Sequence, residues 1–392
     1  MNIINSKIKK EGYSLKDVAV IQAPVGYINH RADVNPFINI CDREVYPIFV
    51  APMSTVTNQK NYKIWIDNKV TPVIPRSVAK SEYNLDGITF EERIELSKET
   101  FVSVSLEEAA EIEWLGDMKG FQEPHYICID IANGTLNSLY EVCADLKNKH
   151  GRNIVIMTGN VANPKAYEMY NTIGIDYMRA SVGSGSCCTT ACAVGVYYPM
   201  ATLLDDIYCE KQRLRNEGKE IKTKVIADGG IADFDDIQKA LALGADAVMC
   251  GEVFAKSNEA CGEILYSESM DNVVNGICLN EKEYFESRVV LCENPYIKYK
   301  PAVYHMYRNY YGMSTPEAQK LCGGTGQKTT EGISRYVEVE YHIDEWIHRM
   351  DSYLRSNMTY INCMTIKDIN ENAEVIVLGG VGDTVYRKKL QK

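Results

Sequence analysis

Two thiols and four hydroxyls stand together in one run, Gly183-Ser184-Gly185-Ser186-Cys187-Cys188-Thr189-Thr190. A cysteine thiolate attacks electron-poor carbon, and a threonine hydroxyl two positions on can take part in proton transfer. The glycines and serines mark an accessible loop, whose exposed amides can lower a thiol's pKa or hold an anion. Cysteine is also a small core hydrophobe, so one or both thiols could simply pack. The sequence has no Gly-x-Ser-x-Gly, which removes the usual hydrolase signature.

Other candidates end apolar runs. Asp228 closes "VIAD" and is followed by Gly229 and Gly230. Its acceptor-only carboxylate suits ribose hydroxyls, and the glycines let backbone amides approach a phosphate. The same three residues also read as a helix cap and turn. Met53, Asp130, Asn160 and Gly251 close further runs. Glu331 in "TTEG", taken alone, reads as a solvated loop charge. "GGTGQKTT" resembles a P-loop only superficially: Gln327 separates Gly326 from Lys328, and a helix-like segment precedes it where a strand is needed.

The elements that must position these residues are eight short apolar runs: "VYPIFVAP", "VTPVIPRS", "TFVSVSL", "YICIDIA", "NIVIMTGN", "IDYMRAS", "TKVIADGG" and "ADAVMCG". Continuous Val/Ile-rich runs suit strands buried on both faces of a parallel sheet. Helical patterns intervene, as in "PKAYEMYNTIG" and "DFDDIQKALALGA". Eight units at a spacing of about 28 residues predict an α/β fold, a (β/α)8 TIM barrel, with its site at the carboxyl ends of the strands. An open doubly wound sheet would show a glycine fingerprint after its first strand, and none is visible. The chain reads as one domain over 1–392, with an inserted segment at about 256–305 and an active-site flap at about 315–340.

A formal net charge of −11 argues against nucleic acid or an anionic membrane as partner. No apolar run is long enough to span a bilayer, and the first residues lack the apolar core of a signal peptide. The expected location is cytoplasmic. Thirteen cysteines without a Cys-x-x-Cys, and six scattered histidines, argue for reduced thiols and against a structural zinc site.

In order along the chain, "LKDVAV", "PIFVAPMSTVT", "DIANG", "GNV", "GSGSCCTT", "IADGGI", "YYGMS", "EGISRYVEV" and "LRSNMTYINCMTIKDI" resemble blocks of the IMP dehydrogenase / GMP reductase family. They cover nearly the whole chain apart from the insertion. The resemblance implies a barrel, expected as a homotetramer, that binds a purine 5′-monophosphate and a nicotinamide cofactor. It makes Cys188 the nucleophile at purine carbon 2, leaves Cys187 as packing, and makes Thr190 and Glu331 a proton-transfer pair. It assigns Ser186, Asp228, Gly229, Gly230, Gly251, Tyr310, Gly312, Met313, Ser314 and Gly332 to the nucleotide. His30, Arg31, Asp130, Ile131, Ala132, Val182, Gly183, Ser356, Asn357, Met358 and Thr359 go to the cofactor. Backbone carbonyls of Gly183, Gly185 and Cys188 match a monovalent-cation site, as for potassium.

Within the family, the expectation is NADPH-dependent reductive deamination of GMP to IMP. The chain has no room for paired regulatory modules after the second helix. Between "GMS" and "EG" it also lacks the Arg-Tyr pair by which the dehydrogenases activate water; Arg335 and Tyr336 fall beyond Glu331. The alternatives are NAD-dependent oxidation of IMP to XMP, a deoxy, modified or unphosphorylated purine ligand, and a non-catalytic nucleotide-binding barrel. Three departures from the family pattern bear on this choice. Glu252 stands where a Gly or Ser is usual beside the phosphate. Pro75 or Arg76 stands where the reductases carry a cofactor lysine. "ACAVGVYYPM" replaces a basic stretch.

Overall fold

The computed structural model describes residues 11–78, 87–112, 120–285, 304–321 and 331–379. All eight apolar runs form strands: β1 (Ile48–Val50), β2 (Thr71–Ile74), β3 (Phe101–Val104), β4 (His125–Asp130), β5 (Ile154–Val161), β6 (Tyr177–Ala180), β7 (Lys224–Asp228) and β8 (Ala247–Cys250). Each pairs in parallel with the next, and β8 returns to β1 to close the barrel. The chain is thus a (β/α)8 barrel.

Strand alternation sorts the apolar side chains into two layers. Phe49, Val73, Phe101, Tyr126, Met157, Tyr177, Ile226 and Met249 form an inner cluster. Ile48, Val50, Ile74, Val102, Ile129, Ile156 and Val248 join the outer cluster against the helices. Phe49, Phe101 and Tyr177 meet edge to face, with ring centroids 5.7–5.8 Å apart. Such contacts add about 0.5–1.5 kcal/mol each beyond area burial, and they make the interior a solid floor. Above that floor, at the strand ends, Asp130, Arg179 and Asp228 are buried together.

The helical patterns behave as their spacing predicts. "PKAYEMYNTIG" yields the helix Ala166–Ile173, which stops at Gly174 in the left-handed region (φ 83°). "DFDDIQKALALGA" yields Phe234–Ala242, and "IDEWIHRMDSYLRSN" lies within Ile343–Tyr360. No helix among the described residues is long and apolar enough to cross a membrane.

After β8, strands from the expected insertion and the expected flap come together. β9 (Ile264–Ser267), β10 (Leu279–Asn280), β11 (His305–Tyr310) and β12 (Arg335–Glu338) form one antiparallel sheet in the order β10-β9-β11-β12. β11 pairs on one side with β9 from the insertion and on the other with β12 from the flap. A lone hairpin is marginal in water, so the two segments stabilise each other as one sheet. Its strand β11 delivers Tyr310 and the following "YGMS" to the barrel mouth. The parts of the expected insertion and flap at 286–303 and 322–330 lie outside the described residues.

Candidate active site

The cysteine loop leaves β6 through Gly183 (φ 76°), where a Cβ would lie 2.9 Å from that of Ala191. Cys188 N–H donates to the Gly185 carbonyl at 3.0 Å. The loop then pairs with a segment far away in sequence. Cys188 and Gly332 form an antiparallel bridge, Thr189 N–H donates to Glu331 O at 2.8 Å, and Ile333 N–H donates to Cys187 O at 3.0 Å. This short ladder fixes the side chain of Glu331. The Cys188 thiol donates to Thr190 Oγ1 at 3.2 Å, and the Thr190 hydroxyl donates to Glu331 Oε2 at 2.6 Å. Sulfur, hydroxyl and carboxylate therefore form one continuous proton path. The second contact has the length of a charge-assisted hydrogen bond.

The two adjacent thiols have different surroundings. Cys187 is buried, its Sγ donates to Tyr310 O at 3.6 Å, and burial pushes its thiol up to about 11. Cys188 is half-buried and lines a cavity of about 430 Å³, within the ordinary size of ligand pockets. Thr190, Glu331, Ser186, Asp228, Gly229, Gly251, Tyr310, Gly312, Met313 and Ser314 line it too. So do Asp130, Ile131, Ala132, Val182, Gly183 and Gly185.

Gly251 has no space for a side chain, since a Cβ would lie 2.6 Å from the Tyr310 hydroxyl and 2.8 Å from Met53 Sδ. Gly229 (φ 86°) backs onto Gly185, with a Cβ there 2.9 Å from Gly185 N. Ser186, Gly229, Gly251 and Tyr310 thus make one wall of bare backbone and hydroxyl. Gly230 and Gly332 sit beside the cavity without lining it: Gly230 is a left-handed turn (φ 74°), and Gly332 packs on Ser314.

Sequence reading missed Arg179. It is buried inside the barrel and joins two predicted carboxylates. Its Nη1 donates to Asp130 Oδ1 at 2.6 Å, its Nε to Asp228 Oδ2 at 3.0 Å, and Nη2 lies 2.8 Å from the same oxygen. Asn160 Nδ2 donates to Asp228 Oδ2 at 2.7 Å. Burial alone would disfavour the guanidinium, but Asp228 and Asp130 more than offset that and hold its pKa well above the usual value. The remaining oxygens, Oδ2 of Asp130 and Oδ1 of Asp228, have no hydrogen-bond partner among the described residues. Each carboxylate is oriented by one oxygen and offers the other. The available signal was an arginine inside the otherwise apolar run "IDYMRAS".

Two of the departures from the family pattern acquire a place. Arg76 lines the cavity. Glu252 does not line it; its Oε2 lies 3.7 Å from Arg335 Nη1. The remaining candidates lie elsewhere. Arg31, Ser356 and Thr359 share a separate surface cleft with Gln22 and Asn29, and exposed His30 precedes it as the cap of a short turn. The Met358 side chain is fully buried in the outer core, so any ligand at 356–359 would meet Ser356 and Thr359 instead. Asn357 Oδ1 is buried with no partner among the described residues.

The fold and site define a barrel with a cysteine-centred proton path at the carboxyl ends of its strands. A family model described as the IMP dehydrogenase / GMP reductase domain matches residues 120–277, which hold β4 to β8 and the cysteine loop. Inosine-5′-monophosphate dehydrogenase of Chlorobaculum tepidum is 28% identical over 261 residues, 65% of this chain and 46% of that protein. The Streptococcus pyogenes protein of the same name is 29% identical over 256 residues, 65% and 45% respectively. The chain spans just under half the length of these relatives. Over β4 to β8 and the cysteine loop the chain is thus similar to the IMP dehydrogenase / GMP reductase family.

Proposed function

We propose that this protein is an oxidoreductase acting at carbon 2 of a purine 5′-monophosphate through a covalent thioimidate on Cys188. The observation that carries this reading is the path from Cys188 Sγ through Thr190 Oγ1 to Glu331 Oε2. An apolar packing cysteine needs no such partners. A nucleophile whose leaving group must be protonated does.

The family resemblance supplies the other assignments, and the cavity lining supports them. The free oxygen of Asp228 accepts from the substrate ribose, while Ser186, Gly229, Gly251 and Tyr310 receive the phosphate. Gly312, Met313 and Ser314 hold the base. On the opposite wall, Asp130, Ile131 and Ala132 suit a second ribose, that of a nicotinamide cofactor, with Val182 and Gly183 beside them. Two carboxylates, each presenting one unpaired oxygen, fit two ribose-bearing ligands. A nicotinamide held there would supply or accept a hydride at carbon 2. The neutral carbonyls of Gly183, Gly185 and Cys188 suit a weakly bound monovalent cation better than a divalent one.

Two reactions of this class are open to the site. In the first, GMP is reductively deaminated to IMP: the Cys188 sulfur adds to carbon 2, the amino group leaves as ammonia, and the carbon–sulfur bond breaks once carbon 2 is reduced. Thr190 and Glu331 move the proton that ammonia needs, and NADPH is the expected cofactor. The lack of Arg and Tyr between Ser314 and Glu331 favours this reaction, and Arg335 is engaged with Glu252 instead. In the second, IMP is oxidised to XMP with NAD, and water cleaves the thioimidate. The name shared by the curated relatives favours this reaction.

Purified protein with GMP and NADPH, and separately with IMP and NAD, tests both by cofactor absorbance. Loss in the first mixture identifies the reductase and gain in the second the dehydrogenase. Either must vanish in Cys188→Ala. Nucleotide binding without turnover in both would leave a non-catalytic barrel.

A further inference from the structure

We propose that Arg335 is the cation that recognises the nucleotide 5′-phosphate, and that Glu252 holds it in reserve until the phosphate arrives. This rests on reading the cavity as a purine monophosphate site. The wall assigned to the phosphate, Ser186, Gly229, Gly251 and Tyr310, offers amides and hydroxyls but no cationic side chain. Of the two arginines that line the cavity, Arg179 is already committed to Asp130 and Asp228, and Arg76 follows β2, two strands round the barrel from β8 and Gly251. Lys256, one turn beyond Glu252, is paired with Glu340 at 2.9 Å.

Arg335, the first residue of β12, stands against this wall and is loosely held. Its Nη1 reaches the Ser186 carbonyl at 3.5 Å and Glu252 Oε2 at 3.7 Å, and the side chain is 43% exposed. Both contacts are at the long limit for a guanidinium. Burial chiefly raises the pKa of the Tyr310 phenol; Glu252 adds a smaller rise and Arg335 a smaller fall. That hydroxyl is the group abutting Gly251, so the pair lies beside the phosphate subsite.

A phosphate dianion next to the Glu252 carboxylate would be repelled, whereas the Arg335 fork binds phosphate with two parallel hydrogen bonds. Exchange of one acid for the other resolves the conflict: the guanidinium moves from Glu252 and Ser186 O to the phosphate. The pair then discriminates by charge. A nucleoside leaves Arg335 on Glu252, and only a 5′-phosphate draws it away.

The test is calorimetric titration of the full chain with GMP, IMP, guanosine and inosine, on wild type, Arg335→Gln and Glu252→Gln, with thermal unfolding as the folding control. The expected result is that R335Q weakens both monophosphates by about 10- to 100-fold, the loss of a charge-assisted pair, and the nucleosides by less than about twofold. E252Q should tighten the monophosphates several-fold by removing the repulsion. Equal weakening of nucleotide and nucleoside by R335Q would overturn the proposal, because Arg335 would then act by holding the loop through Ser186. No change with either variant would overturn it as well. A wild type that binds nucleosides as tightly as nucleotides would refute the phosphate role alone. One that binds none of the four ligands would refute the purine-site reading beneath it.

Discussion

Replacing Glu331 by Gln isolates the proton path from the nucleophile. Gln keeps the shape of the side chain and the backbone ladder that binds 331–333 to the cysteine loop. It removes the charge that accepts the Thr190 hydroxyl at 2.6 Å. A charge-assisted hydrogen bond at a reacting centre is worth about 2–4 kcal/mol when its charge is deleted. At 1.36 kcal/mol per decade, kcat should fall by about 30- to 1,000-fold. The nucleotide KM should stay within about threefold, because Glu331 serves proton transfer and the nucleotide is held by Asp228 and the backbone wall. Covalent capture should persist, since attack requires the Cys188 sulfur. Steady-state kinetics give the first two quantities, and intact mass after rapid quench gives the third. A kcat within threefold of wild type would refute the path. So would a loss entirely in KM, which would make Glu331 a binding group.

Three further outcomes follow. Arg179→Met leaves Asp130 and Asp228 buried without their cation, so chemical denaturation should show a loss of about 3–5 kcal/mol; a loss under 1 kcal/mol would contradict the pairing. Cys187→Ala should keep turnover within about threefold while Cys188→Ala abolishes it, because Cys187 is buried and its thiol is pushed up to about 11. Phe121 stacks between His125 and His150, at 3.9 and 4.2 Å, and burial first, then Lys149, lowers His150 to about 4. The unfolded chain takes up this proton below about pH 6.5 and the folded chain only near pH 4. The contribution of His150 to stability is therefore complete above that upper value and lost as pH falls between the two. Denaturation across pH 4–7 should show this acid loss reduced in His150→Gln.

The barrel was legible because its eight strands are buried on both faces and so read as unbroken apolar runs, from "VYPIFVAP" to "ADAVMCG". The strand-end residues Asp130, Asn160 and Asp228 could likewise be found by position. Partners across the chain could not. Glu331 meets Thr190 only because a three-residue ladder joins the cysteine loop to 331–333; without the family resemblance it was one more loop carboxylate. Arg179 looked like a strand residue, and its role depends on two other strands placing carboxylates on either side of it. The shared sheet of insertion and flap leaves no mark in the sequence, because its strands are short and pairing between distant strands has no periodic signal. Ser356 and Thr359 share a cleft with Arg31 but not with Cys188, a separation that linear order does not reveal.

The central claim is that the Cys188 sulfur bonds to purine carbon 2, and covalent capture tests it most directly. A purine 5′-monophosphate carrying halide at carbon 2 should add to the sulfur, expel halide and leave a stable thioether. Peptide fragmentation should then place one nucleotide on Cys188, with none on Cys188→Ala and protection by unmodified nucleotide. Modification of exposed Cys192 in its place, or no adduct at saturating ligand, would contradict the account.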